Sequence, residues 1–505
     1  MDCIIPFTMN VRPQIDRPVT AADLAGMGRQ PGSFTLLLDA QPADAKRLEC
    51  IEVVRAIPGQ RLVCRGQWQE KNVFAKLYLC ARKDWLAELQ GLNALHAAGI
   101  AAPGIVHTGT ADQGAIHIIL LEPVCQAVTL AAAWTQEADD AARIKLLDLA
   151  VTTVASHHLA GLEQRDIHLD NFLLSDERLY TLDGGGIHLS RDGKLSARRS
   201  VDNLALFFAQ FYPQFDVLIE AAFQAYTKRR AWETGTVSYA RLQQRVRHFR
   251  RNRLRRFLKK IFRDCSAFDC DNSWRNYRVC DRTLATGEML EFLADPDASL
   301  QFKDTKYLKQ GNTCTLWMVR VDQRMLVVKR YNIKGFAHRI SRAFRATRAA
   351  VSWKNAHRLT MYGILTARPV ALVEERLGPL RGRAWYISEY VQGDSACALC
   401  RQPVEDSIDT QLAGASIVAL LQQLASCRIS HGDMKATNLI LAVNGAAIID
   451  LDAMREHGTD TVFHRMHQRD LDRFMRNWEG CPEIGAFFKK SLFPPADVFK
   501  SGLTE

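Results

Sequence analysis

The chain has 505 residues, with 66 Lys and Arg against 55 Asp and Glu and a formal net charge of +11 at neutral pH. Apolar residues make up 47% and charged residues 24%, which excludes a disordered chain and fits a globular one. The length exceeds what one hydrophobic core organises and predicts two domains, while no apolar run reaches the ~18–20 uncharged residues of a membrane span.

Residues 1–35 are punctuated by Pro and Gly and read as a lead-in. The first residues, MDCIIPFTMNVRPQIDRP, lack a basic stretch followed by an apolar one. No signal peptide is therefore expected, and the chain is expected to stay in the cytoplasm. A first domain is expected over residues 36–268. It opens with short β-like runs, then RAIPGQRLVCRGQWQEKNVFAKLYL predicts two apolar strands around turns. A helix follows in WLAELQGLNALHAAGI, ended by Gly99 and Pro103. The strand HIILLEP comes next, and then a long helix through AARIKLLDLAVTTVASHHLAGL. Its His157 and His158 lack a ligand cluster and read as core or surface histidines.

From Arg241 to Arg263 the sequence RLQQRVRHFRRNRLRRFLKKIFR carries eleven Lys or Arg and no acid. Its apolar residues recur at helical spacing, so a basic amphipathic helix should close the first domain. Its basic face suits either solvent or an anionic lipid surface. Nucleic acid is disfavoured as a partner, because no stacking-aromatic motif accompanies the charge. Residues 269–298 hold no sustained pattern and read as a linker, and 299–505 as a second domain that repeats the order of the first. The thirteen cysteines are odd in number and irregular in spacing. They read as reduced structural thiols, the pair Cys397 and Cys400 included.

The repeat is sharpest in two loops. QRDIHLDNFLL precedes YTLDGGG, and HGDMKATNLIL precedes AIIDLDAM. Each copy places an Asp, an Asn five residues later and an Asp twelve residues beyond that: Asp166, Asn171 and Asp183, then Asp433, Asn438 and Asp450. All three pairs are 267 residues apart. Kinases use this set to hold magnesium and aim a hydroxyl. Asp166 and Asp433 are the candidate bases, and Asn171, Asp183, Asn438 and Asp450 offer hard oxygen ligands for Mg²⁺.

Phosphoryl transfer also needs a lysine on an early strand. Lys76 in VFAKLYL and Lys329 in LVVKRYN lie 90 and 104 residues before their catalytic Asp. Glu88, in the following helix, is placed to orient Lys76 by an ion pair. Counting back from the glycine that ends the helix reaches Ser352 in the second copy, so Lys329 must be held by something else or the second site is impaired. Lys435, two residues after Asp433, can stabilise charge on the transferring phosphoryl group; His168 stands there in the first copy. Gly311 and Asn312, in Gln310-Gly311-Asn312-Thr313, could place backbone N–H groups over phosphates, or form a plain hairpin turn.

With HGDMKATNLIL, IIDLDAM, HQRDLDRFMRNW and SWKNAHRL before GILTARPVAL, the second half resembles the lipopolysaccharide kinase family (Kdo/WaaP, InaA-type). PGQRLVCRGQWQEKNVFAKLYL, QRDIHLDNFLL and RRFLKKIFRDCSAF resemble it in the first half. The resemblance implies an α+β chain of two tandem protein-kinase-like bilobal domains, each an antiparallel sheet with a helix followed by a mainly helical lobe. It implies ATP and Mg²⁺ as cofactors and a sugar, heptose or Kdo, of the lipopolysaccharide inner core as acceptor. It further implies work on the cytoplasmic face of the inner membrane, where residues 241–263 would meet anionic glycolipid. Two departures stand against it: LDGGG in place of a DFG-type or DLD motif, and the second copy's missing helix glutamate. The same loops suit other small-molecule or protein kinases, and a pseudokinase scaffold is the reading from another class.

Overall fold

The computed structural model describes residues 18–28, 31–39, 46–190, 193–233, 235–332, 345–378, 380–401 and 408–493; residues 1–17, half of the predicted lead-in, lie outside them. The chain divides into two compact units, one of residues 1–211 and 217–250, the other of residues 212–216 and 251–505. Each mixes antiparallel sheet with helix.

The first unit builds its sheet from β1 (Phe34–Leu37), β2 (Arg47–Ile57), β3 (Arg61–Trp68), β4 (Lys71–Leu79), β5 (Ile105–Ala111) and β6 (Ile116–Leu121), in the order β1-β2-β3-β4-β6-β5. Val73, Ala75 and Leu77 of β4 alternate into a core shared with Leu62 and Cys64 of β3. Lys76 therefore points to the other face, as does Tyr78, which packs with Leu92 of helix α1 (Arg82–Ala97). Helices α2 (Asp140–Leu159) and α3 (Ala197–Phe208) form part of the remainder, with Asp139 capping the first turn of α2.

The last turn of α2 settles the histidine pair as core. His157 Nε2 lies 3.1 Å from Thr181 Oγ1, and His158 bridges Tyr226 Oη at 2.6 Å and Asn203 Oδ1 at 3.0 Å. Burial pushes His157 down to about 4 and His158 down to about 3. Both stay neutral in the fold, whereas the unfolded chain protonates them below the ordinary histidine value, so unfolding takes up protons on acidification. Stability should fall by about 1.4 kcal/mol per pH unit for each histidine as pH drops from 6.5 towards 4. Urea unfolding of wild type and His158→Gln across that range checks this: the variant should lose part of the slope, and equal slopes would contradict it.

Helix α4 (Tyr239–Lys260) contains the division between the units, at Arg250. The second unit's sheet holds β7 (Phe268–Asn272), β8 (Asn276–Asp281), β9 (Lys306–Gln310), β10 (Cys314–Val321), β11 (Arg324–Tyr331), β12 (Pro369–Leu377) and β13 (Leu380–Glu389). Their order is β7-β8-β12-β13-β11-β10-β9, with α5 (Arg348–Tyr362) between β11 and β12. Five of these strands and α5 share the order and connections of β2 to β6 and α1. Helices α6 (Ile408–Ser426), α7 (Asp460–Met475) and α8 (Pro482–Leu492) follow.

Three features differ from the sequence expectation. The predicted linker 269–298 supplies β7, β8 and a helix, Gly287–Ala294. Met289, Phe292 and Leu293 of that helix sit at helical spacing and bury against Trp317 and Val328 of the sheet. The basic helix does not end the first unit either. Leu254, Leu258 and Ile261 belong to the second unit's core, where Trp353 Nε1 donates to the Ile261 carbonyl at 2.9 Å. Its apolar stripe is thus a packing stripe. Finally, Cys400 and Cys481 form a disulfide across 81 residues. A single bridge between distant residues leaves no spacing signature, which is why the cysteine pattern concealed it; closing so long a loop contributes about 3–5 kcal/mol. Among the described residues no helix is long and apolar enough to cross a membrane, and no group of three or more His, Cys, Asp or Glu could hold a metal.

Candidate active sites

In the first unit, Lys76 on β4 reaches across to α1 and pairs with Glu88. Lys76 Nζ also donates to the Leu182 carbonyl at 3.2 Å and lies 3.9 Å from Asp183 Oδ1. Glu88 accepts from the Gly184 amide at 3.2 Å and the Gly185 amide at 2.9 Å. The triple glycine therefore has a structural reason: two of its N–H groups fasten the lysine's partner. Burial raises the Glu88 pKa, with Lys76 pulling the other way. Burial also pushes Asp183 up, but the adjacent Glu88 carboxyl and the charges of Lys76, Arg61 and Arg55 hold it below the ordinary carboxylate range.

Asp166 is exposed on the loop after α2. Asn171 Nδ2 donates to the Asp166 carbonyl at 2.8 Å. Asp183 Oδ1 is buried and accepts no hydrogen bond among the described residues. A carboxylate oxygen without a hydrogen-bond partner and a side-chain amide oxygen are the hard donor types that suit Mg²⁺. His168 instead pairs with Asp170 at 3.5 Å.

The close approach of α1 to the glycine turn makes Gly91 a sharp test. A Cβ there would sit 1.9 Å from the Gly184 carbonyl oxygen. Gly91→Ala should force the turn away from Glu88 and cost about 1–3 kcal/mol or more. Chemical denaturation should register that loss; a variant as stable as wild type would contradict the packing.

In the second unit a cavity of about 460 Å³ lies between sheet and helical lobe, within the size range of ligand pockets. Leu316, Val327, Ile440 and Ile449 give it apolar walls. Lys329, Asn438 and Asp450 line it, as does the chain from Ser388 to Val391. Lys329 Nζ pairs with Asp450 and, at 3.2 Å, with Asp452 Oδ2. Arg348 of α5 holds Asp452 Oδ2 at 2.6 Å. So the acid missing from α5 is supplied by the second Asp of DLD, steadied by an arginine from that helix. Ser352, at the glutamate's counterpart, contacts Tyr331 Oη at 2.9 Å instead.

Burial would lower the Lys329 pKa, but Tyr331, Asp450 and Asp452 raise it above the ordinary lysine value. Burial likewise opposes ionisation of Asp450, and Lys329 overcomes it and holds Asp450 below the ordinary range. Asp450 has φ +64°, a left-handed conformation that Asp tolerates. Asn355 of α5 donates to the Leu451 and Met454 carbonyls, both at 2.9 Å, and so fixes the turn that carries it.

The loop bearing Asp433 is held from below by Asp470 of α7, which accepts from the His431 amide at 2.6 Å and the Gly432 amide at 2.9 Å. Asn438 Nδ2 donates to the Asp433 carbonyl at 3.0 Å, the contact that Asn171 makes in the first unit. Asp433 itself lies between Lys435 Nζ at 2.7 Å and Arg473 Nε at 3.8 Å. Gly311 and Asn312 form the turn between β9 and β10, closed by Asn332, which donates to the Gly311 carbonyl at 3.1 Å. They do not line the cavity, whereas Lys309 and Cys314 beside them do.

Residues 301–499 match the family described as "Lipopolysaccharide kinase (Kdo/WaaP) family". The matched segment spans β9 to β13, α5 to α8, and both loops of the second site. No curated protein matches the chain. Among solved structures the chain is similar to one described as "WaaP in complex with acyl carrier protein", at 20% identity over 40% of this chain and 87% of that one, with a TM-score of 0.30.

Several residues of the matched segment escaped the sequence reading. Asp452 and Arg348 had a faint signal in the doubled acid of DLD and the basic start of α5. Asp470 stood in plain view in HQRDLDRF, but nothing in the sequence aims it at His431. In the first unit, Gly91 and Gly184 could have been paired only by knowing that helix and turn touch.

Proposed function

We propose that the chain is an ATP- and Mg²⁺-dependent kinase that phosphorylates sugars of the lipopolysaccharide inner core, heptose foremost, with one site in each unit. The match of residues 301–499 to the lipopolysaccharide kinase family model supports the kinase chemistry and the lipopolysaccharide acceptor. The observation that carries the two-site reading is the recurrence of one arrangement. In each unit an Asn ties itself to the carbonyl of an Asp five residues earlier, and a strand lysine meets the later Asp.

In the second unit Asp433 takes the proton of the attacking hydroxyl, and Lys435 faces the charge that develops on the transferred group. Lys329 holds the α/β-phosphates in the 460 Å³ cavity. Asn438 and Asp450 would hold Mg²⁺, whose charge offsets that of the phosphates. In the first unit Asp166, Lys76, Asn171 and Asp183 take the same roles, with Glu88 positioning the lysine. The exposed cations of residues 241–263 would keep the enzyme at the cytoplasmic face of the inner membrane.

The test is label transfer from γ-labelled ATP to lipopolysaccharide of a strain lacking this protein, with and without a chelator. Chelator-sensitive labelling of the core supports the reading. Labelling of a neutral soluble sugar or a protein instead would assign another acceptor, and nucleotide binding without any transfer would assign a scaffold.

A further inference from the structure

A second cavity of the second unit, of about 700 Å³, shares no lining residue with the nucleotide cavity. Arg251, Arg255 and Lys259 line it from α4, and Lys354 and Arg358 line it from α5. Against these five cations stands one carboxylate, Glu456. That carboxylate is already engaged, by Arg358 at 3.2 Å and Tyr362 Oη at 3.1 Å. Arg251, Arg255, Lys259 and Lys354 have no ion-pair partner among the described residues.

The spacing makes this arrangement costly without a ligand. Arg251, Arg255 and Lys259 stand at four-residue intervals on one face of a helix, where like charges destabilise each other. Lys354 and Arg358 repeat that interval on the facing helix. Leu254 and Leu258 are buried between them, so the stripe is pinned in place and the cations cannot turn away. A concave wall of unpaired Arg and Lys is the environment that recognises phosphate through several charge-assisted hydrogen bonds.

We propose that this cavity is an anion site, distinct from the nucleotide site, for a ligand bearing a phosphomonoester. The inference does not rest on phosphoryl transfer, in which none of these residues takes part, but it deepens the membrane role proposed for residues 241–263, to which Arg251, Arg255 and Lys259 belong. A free phosphate ester and a lipid headgroup present the same chemistry, and the test separates them.

The full chain is titrated with inorganic pyrophosphate, and separately with phosphatidylcholine vesicles doped with phosphatidic acid. Wild type is compared with Arg251→Glu/Arg255→Glu and with a control of equal charge change, Lys489→Glu/Lys490→Glu on α8. Only the cavity variant should weaken binding, by more than about tenfold. Binding of pyrophosphate that the cavity variant loses assigns a free phosphate ester; binding of vesicles alone, lost in the same way, assigns a headgroup. Equal weakening in both variants, no weakening in either, or no binding by wild type would overturn the proposal. Should the double variant fail to fold by circular dichroism, Lys354→Glu replaces it.

Discussion

Asp433→Asn is expected to lower phosphoryl transfer by the second unit about 10²–10⁴-fold, the usual contribution of a positioned general base. Nucleotide affinity should barely change. Asp433 does not line the cavity, and its backbone carbonyl, which Asn438 uses, survives the substitution. Single-turnover transfer together with nucleotide titration on the full chain separates the two effects. A variant that turns over like wild type would remove Asp433 from the chemistry, and one that loses nucleotide binding would make it a structural residue.

Lys329→Met should act on binding and on stability together. Loss of charge-assisted hydrogen bonds to phosphate predicts roughly 10–100-fold weaker nucleotide binding. The fold should also lose on the order of 2 kcal/mol, below the usual figure for breaking a buried pair, because Asp450 is more than a third exposed. The pH dependence follows from the shifts. Lys329 is raised, so its contribution is full below the ordinary lysine value and is lost as pH climbs through the elevated one. Asp450 is lowered, so its contribution is full above the ordinary Asp value and is lost as pH falls through the depressed one. Between those limits the stability difference between wild type and variant should be flat. Denaturation midpoints at several pH values measure it, and a difference that appears only in mild acid would contradict the pairing.

The residues visible in the sequence are those whose role follows from local spacing. Asp, Asn and Asp along one loop and its following strand keep their separations because the loop is short and the strand fixed. Lys76 and Lys329 were legible because each sits in an apolar strand that alternates. Glu88 was legible because helix α1 begins only a few residues after β4, which keeps it within reach of Lys76.

What the sequence concealed are partners that tertiary packing brings from afar. Asp452 reaches Lys329 across 123 residues, and Cys481 reaches Cys400 across 81. Residues 269–298 read as a linker because β7 and β8 are short and the hairpin they form joins the sheet only through β12, almost a hundred residues on. The α4 stripe gave its helix correctly but not which unit's core it would join, since an apolar face carries no address.

The central claim is that this chain phosphorylates the lipopolysaccharide core at two sites. The most direct measurement is the mass of core oligosaccharide from a strain lacking the protein, compared with strains carrying wild type, Asp166→Ala or Asp433→Ala. Loss of one phosphate with each substitution, and of both in the null strain, is the predicted result. A core of unchanged mass in every strain would contradict it.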